Sequence, residues 1–196
     1  MIEALPTLVP VGEYIAVGDA LGCAPVLFHA LSKVESLEDP RAIRREDHWW
    51  RKMRFASREA KAFDRKPNPK NMDDRWTILR EMDAVCQADA PLNLRARNAA
   101  ILCHSLCWSQ IMGFNHRSCG FDDPRNWLDA VQTLQGQREC LIAFVTDNPV
   151  LQTAFQRRDY PAIAHHYNGP NYRANKYDEK LRTTVRKLET AGVTYA

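Results

Sequence analysis

Apolar side chains recur at steps of three and four residues along most of this chain, and that spacing restricts the fold more than any other feature. Within residues 25–35, for example, one helical face is apolar and consists of Leu27, Phe28, Leu31 and Val34. Alternating apolar and polar patterns, which mark half-buried strands, are almost absent. We therefore predict an all-α or predominantly α domain with at most a small β-hairpin, weakly indicated within residues 39–55.

The same spacing, together with capping residues, predicts further helices. Asp123 and Pro124 are typical of the cap and the first position of a helix. Residues 92–107 are so strongly apolar that we expect a central helix there, whereas breakers such as Pro67 predict a loop over 63–72. The other predicted helices cover residues 11–21, 73–86, 124–134, 137–146, 149–157, 159–166 and 177–191.

The length of 196 residues predicts a single domain that spans residues 1–196. Hydrophobic residues make up 45% and charged residues 26%, which excludes a disordered or collagen-like chain. No apolar run reaches the ~18 residues of a membrane-spanning helix, and no Lys or Arg precedes Lys33, so we expect neither a membrane span nor a signal peptide. The net charge of +3 is mild, and only a short basic run surrounds Trp49 and Trp50, so nucleic acid is not a predicted partner.

Six cysteines allow disulfides, but a chain of this size can build a core without them. We expect most of the thiols to be reduced and buried, and the sequence leaves a single disulfide open. Cys103, Cys107, His116 and Cys119 could suggest zinc, but their spacing differs from the short ligand pairs of structural zinc sites. We therefore predict no metal and no other cofactor, and no local signature marks a nucleophilic cysteine.

Glu35 is the first candidate catalytic residue. It lies at the end of the predicted helix 25–35, on the same side as Phe28 and Leu31. Apolar neighbours raise the pKa of a carboxyl group, and a carboxylic acid that is protonated near neutral pH can cleave a glycosidic bond. From position alone, a solvated glutamate at a helix end is the simpler interpretation. Glu46 and Asp39 are candidates for a second carboxylate, although they also fit a solvated acidic loop.

Two further segments have side chains suited to binding sugars. Gln110 and Asn115 follow the apolar segment, and an amide offers both a donor and an acceptor to hydroxyl and acetamide groups. Tyr167 and Asn168 precede Gly169-Pro170, where the aromatic ring could stack on a sugar and the amide could bind its hydroxyls. As a bare sequence, this second segment also fits an ordinary helix C-terminus.

Taken in order, six short motifs resemble the phage and bacterial N-acetylmuramidase domain, which belongs to the lysozyme-like superfamily. They are Val34-Glu35-Ser36, Glu46-x-His48, Gln110-Ile111-Met112-Gly113-Phe114-Asn115, Cys119-Gly120-Phe121, Tyr167-Asn168-Gly169-Pro170 and Asn175-x-Tyr177-Asp178-x-Lys180-Leu181. The resemblance covers residues 11–188 and implies a lysozyme-like helical fold. Three residues depart from the family pattern, because Leu37, Glu38 and Cys107 stand at or near positions where the family has glycine.

The resemblance also implies roles for individual residues. Glu35 matches the catalytic glutamate, and Glu46 with His48 matches the family's Glu-x-His pattern, in which Glu46 would orient a water or support the cleft. The implied substrate-binding residues are His48, Gln110, Asn115, Tyr167 and Asn168.

The implied activity is hydrolysis of the β-1,4 bond between N-acetylmuramic acid and N-acetylglucosamine, with peptidoglycan glycan strands as the substrate. A lytic transglycosylase and an inactive structural or wall-binding component of a phage tail remain alternatives. The enzyme would act either from the host cytoplasm after release through a holin or from the virion tail, where baseplate proteins would be partners. The missing wall-binding domain favours the thin wall of a Gram-negative host.

Overall fold

The computed structural model describes residues 5–54, 57–89 and 93–195. Its helices, in chain order, are α1 (Val11–Leu21), α2 (Pro25–Ser36), α3 (Asp47–Met53), α4 (Arg58–Ala62), α5 (Met72–Asp89), α6 (Leu94–Arg97), α7 (Ala99–Leu102), α8 (Pro124–Ala130), α9 (Leu134–Thr146), α10 (Pro149–Arg157), α11 (Tyr160–Asn168) and α12 (Tyr177–Thr190). No helix in these ranges combines the length and the apolar character needed to cross a membrane. The predominantly α architecture is the one predicted from the sequence.

A single apolar core holds the helices together. Helix α2 packs against both α1 and α12, α1 also packs on α9, and α11 lies between α10 and α12. The predicted apolar face of α2 points inward, with Leu27, Phe28 and Leu31 fully buried. Burying a side chain of this kind stabilises the fold by roughly 1.5–3 kcal/mol. The core therefore fixes α2, the helix that ends beside Glu35.

A small antiparallel sheet lies among the helices, in the strand order β1 (Ile43–Arg45), β2 (His104–Leu106) and β3 (Ile111–Met112). Ile43 pairs with Leu106, and Ser105 pairs with Met112. The hairpin predicted within residues 39–55 is therefore wrong, because β1 pairs with a distant strand and the chain continues into α3. Residue 55 itself lies outside the described part of the chain.

The central helix predicted over residues 92–107 is also wrong. Its described part divides into α6 and α7, separated at Asn98, and then continues as β2. All three residues of β2 are buried, so the strand lacks the alternation that would distinguish it from a buried helix. A short apolar run of this kind cannot be assigned from periodicity alone.

The helix predicted over residues 124–134 ends earlier, at Ala130. The Thr133 Oγ1 atom accepts a hydrogen bond from the Gly136 N–H at 3.0 Å and thereby caps the next helix, α9. A Cβ atom on Gly136 would lie 1.9 Å from the Ala130 carbonyl oxygen, so this tight corner requires glycine. The sequence showed the glycine but not the close backbone approach that explains it.

Five of the six cysteines are buried, and all six are free thiols in the structure. Burial raises the pKa of Cys86 to about 11, so this thiol stays protonated at neutral pH. The buried cysteines fill the core, as the sequence analysis expected.

Helix α2 ends in two consecutive residues with left-handed backbone conformations, Leu37 (φ 58°) and Glu38 (φ 66°). Glu38 is held there by its carboxylate, which contacts His29 Nε2 at 2.7 Å and also bonds Lys33. The Leu37 side chain is 80% exposed, so it gains no burial that offsets the backbone strain. This is the position where the family pattern leads us to expect glycine.

Replacing Leu37 with glycine should therefore stabilise the protein, by roughly 0.5–1 kcal/mol, because glycine adopts the left-handed conformation freely. Urea denaturation of the wild type and Leu37→Gly measures the difference. Leu94→Gly is the matched control, since Leu94 is also exposed but lies in a helix, where glycine should destabilise. A destabilised Leu37→Gly protein would contradict the strain argument.

Candidate active site

A cleft of about 930 Å³ opens beside the end of α2. Six of the seven residues predicted to act on or bind substrate line it: Glu35, Glu46, Gln110, Asn115, Tyr167 and Asn168. They come from segments that are far apart in the chain and meet only in the fold. The seventh, His48, is exposed and is not among the lining residues, although its ring contacts Trp49, which does line the cleft.

Glu35 has an unusual acidity for a carboxyl group. Burial raises its pKa from 4.5 to about 7, although a hydrogen bond from Tyr177 and the positive charge of Arg44 both lower it. The Tyr177 hydroxyl donates to Oε1 of Glu35. A substantial fraction of Glu35 therefore carries a proton at neutral pH. When the proton leaves, Tyr177 and Arg44 stabilise the carboxylate that forms.

Ser36, the second residue of the Glu-Ser motif, fixes the helix end that carries Glu35. Its Oγ atom lies 3.1 Å from the carbonyl oxygen of Ser32 and 3.1 Å from that of Trp108. The Trp108 side chain is fully buried, so this contact ties the end of α2 to the core. The serine therefore positions the preceding glutamate rather than contacting the cleft.

Gln110 has a structural role that its sequence did not reveal. Its Nε2 atom donates to the carbonyl oxygens of Cys107 at 2.8 Å and Ala42 at 3.2 Å, while its Oε1 accepts from Ser105 at 2.9 Å. Both amide hydrogens are thus already used. Gln110 lines the cleft but also links the sheet to the turn before β3, and little hydrogen-bonding capacity remains for sugar hydroxyls.

The turn that Gln110 stabilises contains two strained residues. Cys107 (φ 69°) and Gln110 itself (φ 50°) both have left-handed backbone conformations. The Cys107 side chain is buried, which compensates for part of the backbone cost. Glycine at the Cys107 position in the family pattern has the same conformational explanation as glycine near Leu37.

Tyr167 forms a wall of the cleft. Its hydroxyl donates to the Ser109 carbonyl oxygen at 2.6 Å, and its ring meets that of Phe144 edge-on, with centroids 5.7 Å apart. Asn168, which is exposed, accepts a weak hydrogen bond from Asn175 at 3.4 Å. The partly exposed rings of Trp49 and Phe114, whose centroids lie 4.9 Å apart, form a second aromatic surface in the cleft lining.

The acidic residues that line the cleft are Glu35, Glu46 and Asp147. Glu46 forms an ion pair with Arg44, whose Nε lies 2.9 Å from Oε1. Asp39, the alternative second carboxylate, does not line the cleft and instead accepts the Arg41 backbone N–H at 2.8 Å. The geometry thus favours Glu46 over Asp39, and it adds Asp147 on the α9 side.

Sequence reasoning missed two contributors to this site, Tyr177 and Arg44. Tyr177 belongs to one of the motifs that carried the resemblance, but nothing in the sequence shows that its hydroxyl reaches Glu35 across 142 positions of chain. Arg44 lies in the basic run that surrounds Trp49 and Trp50, and nothing in the sequence marks it as a neighbour of Glu35. Only the pairing of β1 with β2 shows that this run passes the cleft.

No group of three or more His, Cys, Asp or Glu side chains is arranged to hold a metal ion within residues 5–54, 57–89 and 93–195. The site offers a protonated carboxylic acid at the side of a large, polar cleft with aromatic surfaces. Such an acid can protonate the leaving oxygen of a glycosidic bond. The volume and the polar lining suit a carbohydrate chain.

The chain is similar to known proteins in its sequence pattern and in its fold. The model of a family described as N-acetylmuramidase matches residues 27–189, which include every residue of the cleft. Among solved structures, the crystal structure of Burkholderia AP3 phage endolysin is similar, with a TM-score of 0.67 and 21% identity over 96% of this chain and 74% of that chain. At that identity the likeness supports the fold. No curated protein sequence matches the chain.

Proposed function

Because the chain belongs to the N-acetylmuramidase family, we propose that it hydrolyses the β-1,4 bond between N-acetylmuramic acid and N-acetylglucosamine in peptidoglycan. The observation that carries the proposal is Glu35, a carboxyl group with a pKa of about 7 in the lining of a large polar cleft. A general acid works best when its pKa lies near the pH at which it operates.

In the proposed reaction, Glu35 donates its proton to the glycosidic oxygen as the bond from the sugar C1 atom to that oxygen breaks. The leaving sugar departs as an alcohol, and the remaining sugar passes through an oxocarbenium-like transition state. Tyr177 and Arg44 stabilise the carboxylate left on Glu35, because one donates a hydrogen bond to it and the other supplies a positive charge. Burial thus raises the pKa of Glu35, and the two neighbours limit that rise so that the group can still ionise.

Water then adds to C1 and loses a proton, which completes the hydrolysis. We propose that Glu46, which lines the same cleft and forms an ion pair with Arg44, orients this water. The substrate's own acetamide group is the alternative nucleophile. In either path the proton released by water restores Glu35 to its acidic form.

Tyr177→Phe tests the assigned role of the tyrosine. Removing the hydroxyl removes a hydrogen bond that lowers the pKa of Glu35, so this pKa should rise above about 7. The alkaline limb of the kcat/KM profile should then move to higher pH, by roughly one unit, which corresponds to ~1.4 kcal/mol. The measurement is a pH–rate profile on purified cell walls, with a thermal melt to show that the variant is folded. An unmoved alkaline limb would show that Tyr177 does not act through Glu35.

We also propose that the protein works as a phage endolysin, reaching the wall from the host cytoplasm. The similarity in fold to an endolysin supports this role over a place in the virion tail, for which the described residues offer no argument. An inactive wall-binding protein is the second candidate. Gel zymography on purified Gram-negative walls separates the two, since the proposed enzyme clears a zone and a binding protein is retained without clearing one.

A further inference from the structure

A second groove, of about 540 Å³, runs along the junction of α2 and α12. Its polar lining consists mainly of lysine and threonine side chains, namely Lys33, Lys176, Lys180, Thr183, Thr184 and Lys187. One acidic residue, Glu179, also lines it. Nothing in the proposed hydrolysis uses these residues.

The groove has positive charge that the protein itself does not neutralise. Lys33 bonds Glu38, and Lys176 lies 3.9 Å from Glu179. Lys180 and Lys187 have no carboxylate within ion-pair distance among the described residues, and both are exposed. A concave surface with two unpaired ammonium groups and two hydroxyl-bearing side chains is suited to a ligand that carries carboxylates or phosphates.

The groove and the cleft are lined by residues that are neighbours in the chain. Val34 lines the groove and Glu35 lines the cleft, while Lys176 in the groove follows Asn175 in the cleft. The hydrogen bond between Tyr177 and Glu35 joins the same two helices at this point. A ligand in the groove can therefore be a branch of the molecule whose main chain lies in the cleft.

The shape of the groove favours an extended peptide. From Lys176 to Lys187 the helix advances by roughly 16 Å at 1.5 Å per residue. About five residues of extended peptide cover the same length. No aromatic side chain lines the groove for stacking on nucleic-acid bases, and its lining includes no exposed large hydrophobic side chain for insertion into a membrane.

We propose that this lysine groove binds the acidic peptides that are attached to the muramic acid residues of peptidoglycan. These short peptides carry several free carboxylates, and each is linked to the glycan chain that the cleft would hold. The inference rests on the proposed function, because it assigns a further part of the same substrate. Weak binding in the groove is sufficient, since the peptide is tethered to the glycan and has a high effective concentration there.

The test compares two substrates, intact peptidoglycan and glycan chains from which an amidase has removed the peptides. The double variant Lys180→Glu Lys187→Glu reverses the two unpaired charges. Its kcat/KM on intact peptidoglycan should fall about five- to tenfold, the range for two exposed ion pairs, and its kcat/KM on peptide-free glycan should not change. An equal loss on both substrates, or no loss on either, overturns the proposal.

Two further variants serve as controls. Lys61→Glu Lys70→Glu also reverses two exposed lysines outside the groove, so both double variants lower the net charge from +3 by four. This control should retain the wild-type preference for the peptide-bearing substrate. The neutral pair Lys180→Gln Lys187→Gln should give a smaller loss in the same direction, and thermal melts should show that all variants fold. If both Glu variants lose the same activity on intact peptidoglycan, the loss results from the change in net charge. The proposal that the groove binds the peptides would then be wrong.

A binding measurement keeps this proposal separate from the proposed hydrolysis. A soluble peptide of L-Ala, D-Glu, diaminopimelate and D-Ala is titrated into the isotope-labelled protein, and NMR shift changes should concentrate on Lys180, Thr183 and Lys187. If the wild type degrades neither substrate, the proposed hydrolysis is wrong. The titration then still shows whether the groove binds the peptide. Absence of peptide binding, or lysine-dependent binding to phosphatidylglycerol vesicles instead, overturns the proposal.

Discussion

Glu35→Gln should reduce the rate of peptidoglycan hydrolysis by about a thousandfold, within the range for loss of a general acid. Glutamine has nearly the same shape as glutamate, and its carbonyl oxygen can still accept the hydrogen bond from Tyr177. It has no acidic proton to give to the leaving oxygen, so only the chemical step is lost. The measurement is the initial rate of release of soluble fragments from purified walls.

The pH dependence of stability provides a control for the same variant. Burial raises the pKa of Glu35 from 4.5 in the free residue to about 7. In the unfolded chain Glu35 ionises more easily, so the wild type loses stability as the pH rises from about 4.5 to about 7. Glutamine does not ionise and avoids this loss. Glu35→Gln should therefore match the wild type at pH 4 and be more stable at pH 8, by roughly 1–3 kcal/mol. An active Glu35→Gln protein, or one that is less stable at pH 8, contradicts the assignment.

Gly113→Ala should have the largest effect on stability among the glycine substitutions near the cleft. A Cβ atom on Gly113 would lie 2.1 Å from the Ile101 carbonyl oxygen and 2.8 Å from the Ile101 carbonyl carbon. Both contacts are with backbone, which cannot move aside without separating the β3 turn from α7. We expect a loss of about 3 kcal/mol and a decrease in Tm of roughly 6–12 °C.

The same substitution should also lower activity, because Phe114 and Asn115 follow Gly113 and line the cleft. Gly12→Ala is the matched control: it lies in α1, and its Cβ would meet no atom within 4 Å. Alanine there should be neutral or stabilise the helix by about 0.5 kcal/mol. Circular dichroism melts of both variants check the pair, and a Gly113→Ala protein with wild-type Tm would refute the packing argument.

The sequence predicted those helices whose ends are marked by local chemistry. Asn148 and Pro149 begin α10, and the Asn148 side chain accepts the Leu151 N–H at 3.1 Å as a helix cap does. Signals of this kind lie within four residues of one another, so they can be read directly. The strand β2 has no such signal, because its partners are distant and its residues are uniformly buried. Long-range pairing is the information that a single sequence hides.

The candidate site also has one part that the sequence predicted and another that only the fold reveals. The identity of Glu35 followed from the apolar face of its helix and from its resemblance to a family motif. The partner that tunes its acidity, Tyr177, reaches it only because α12 packs on α2. Gln110 shows the reverse case, since its amide was predicted to bind sugar but is occupied by Ser105, Cys107 and Ala42. Residue type indicated which side chains matter, and packing decided what each of them does.

The central claim is that this protein cleaves the glycan chain with water and with Glu35 as the acid. Mass spectrometry of the soluble muropeptides released from purified Gram-negative peptidoglycan tests it most directly. We predict fragments that have gained one water and end in a reducing N-acetylmuramic acid, from the wild type but not from Glu35→Gln. Fragments that end in 1,6-anhydro-muramic acid would identify a transglycosylase, and no release by the wild type would contradict an enzymatic role altogether.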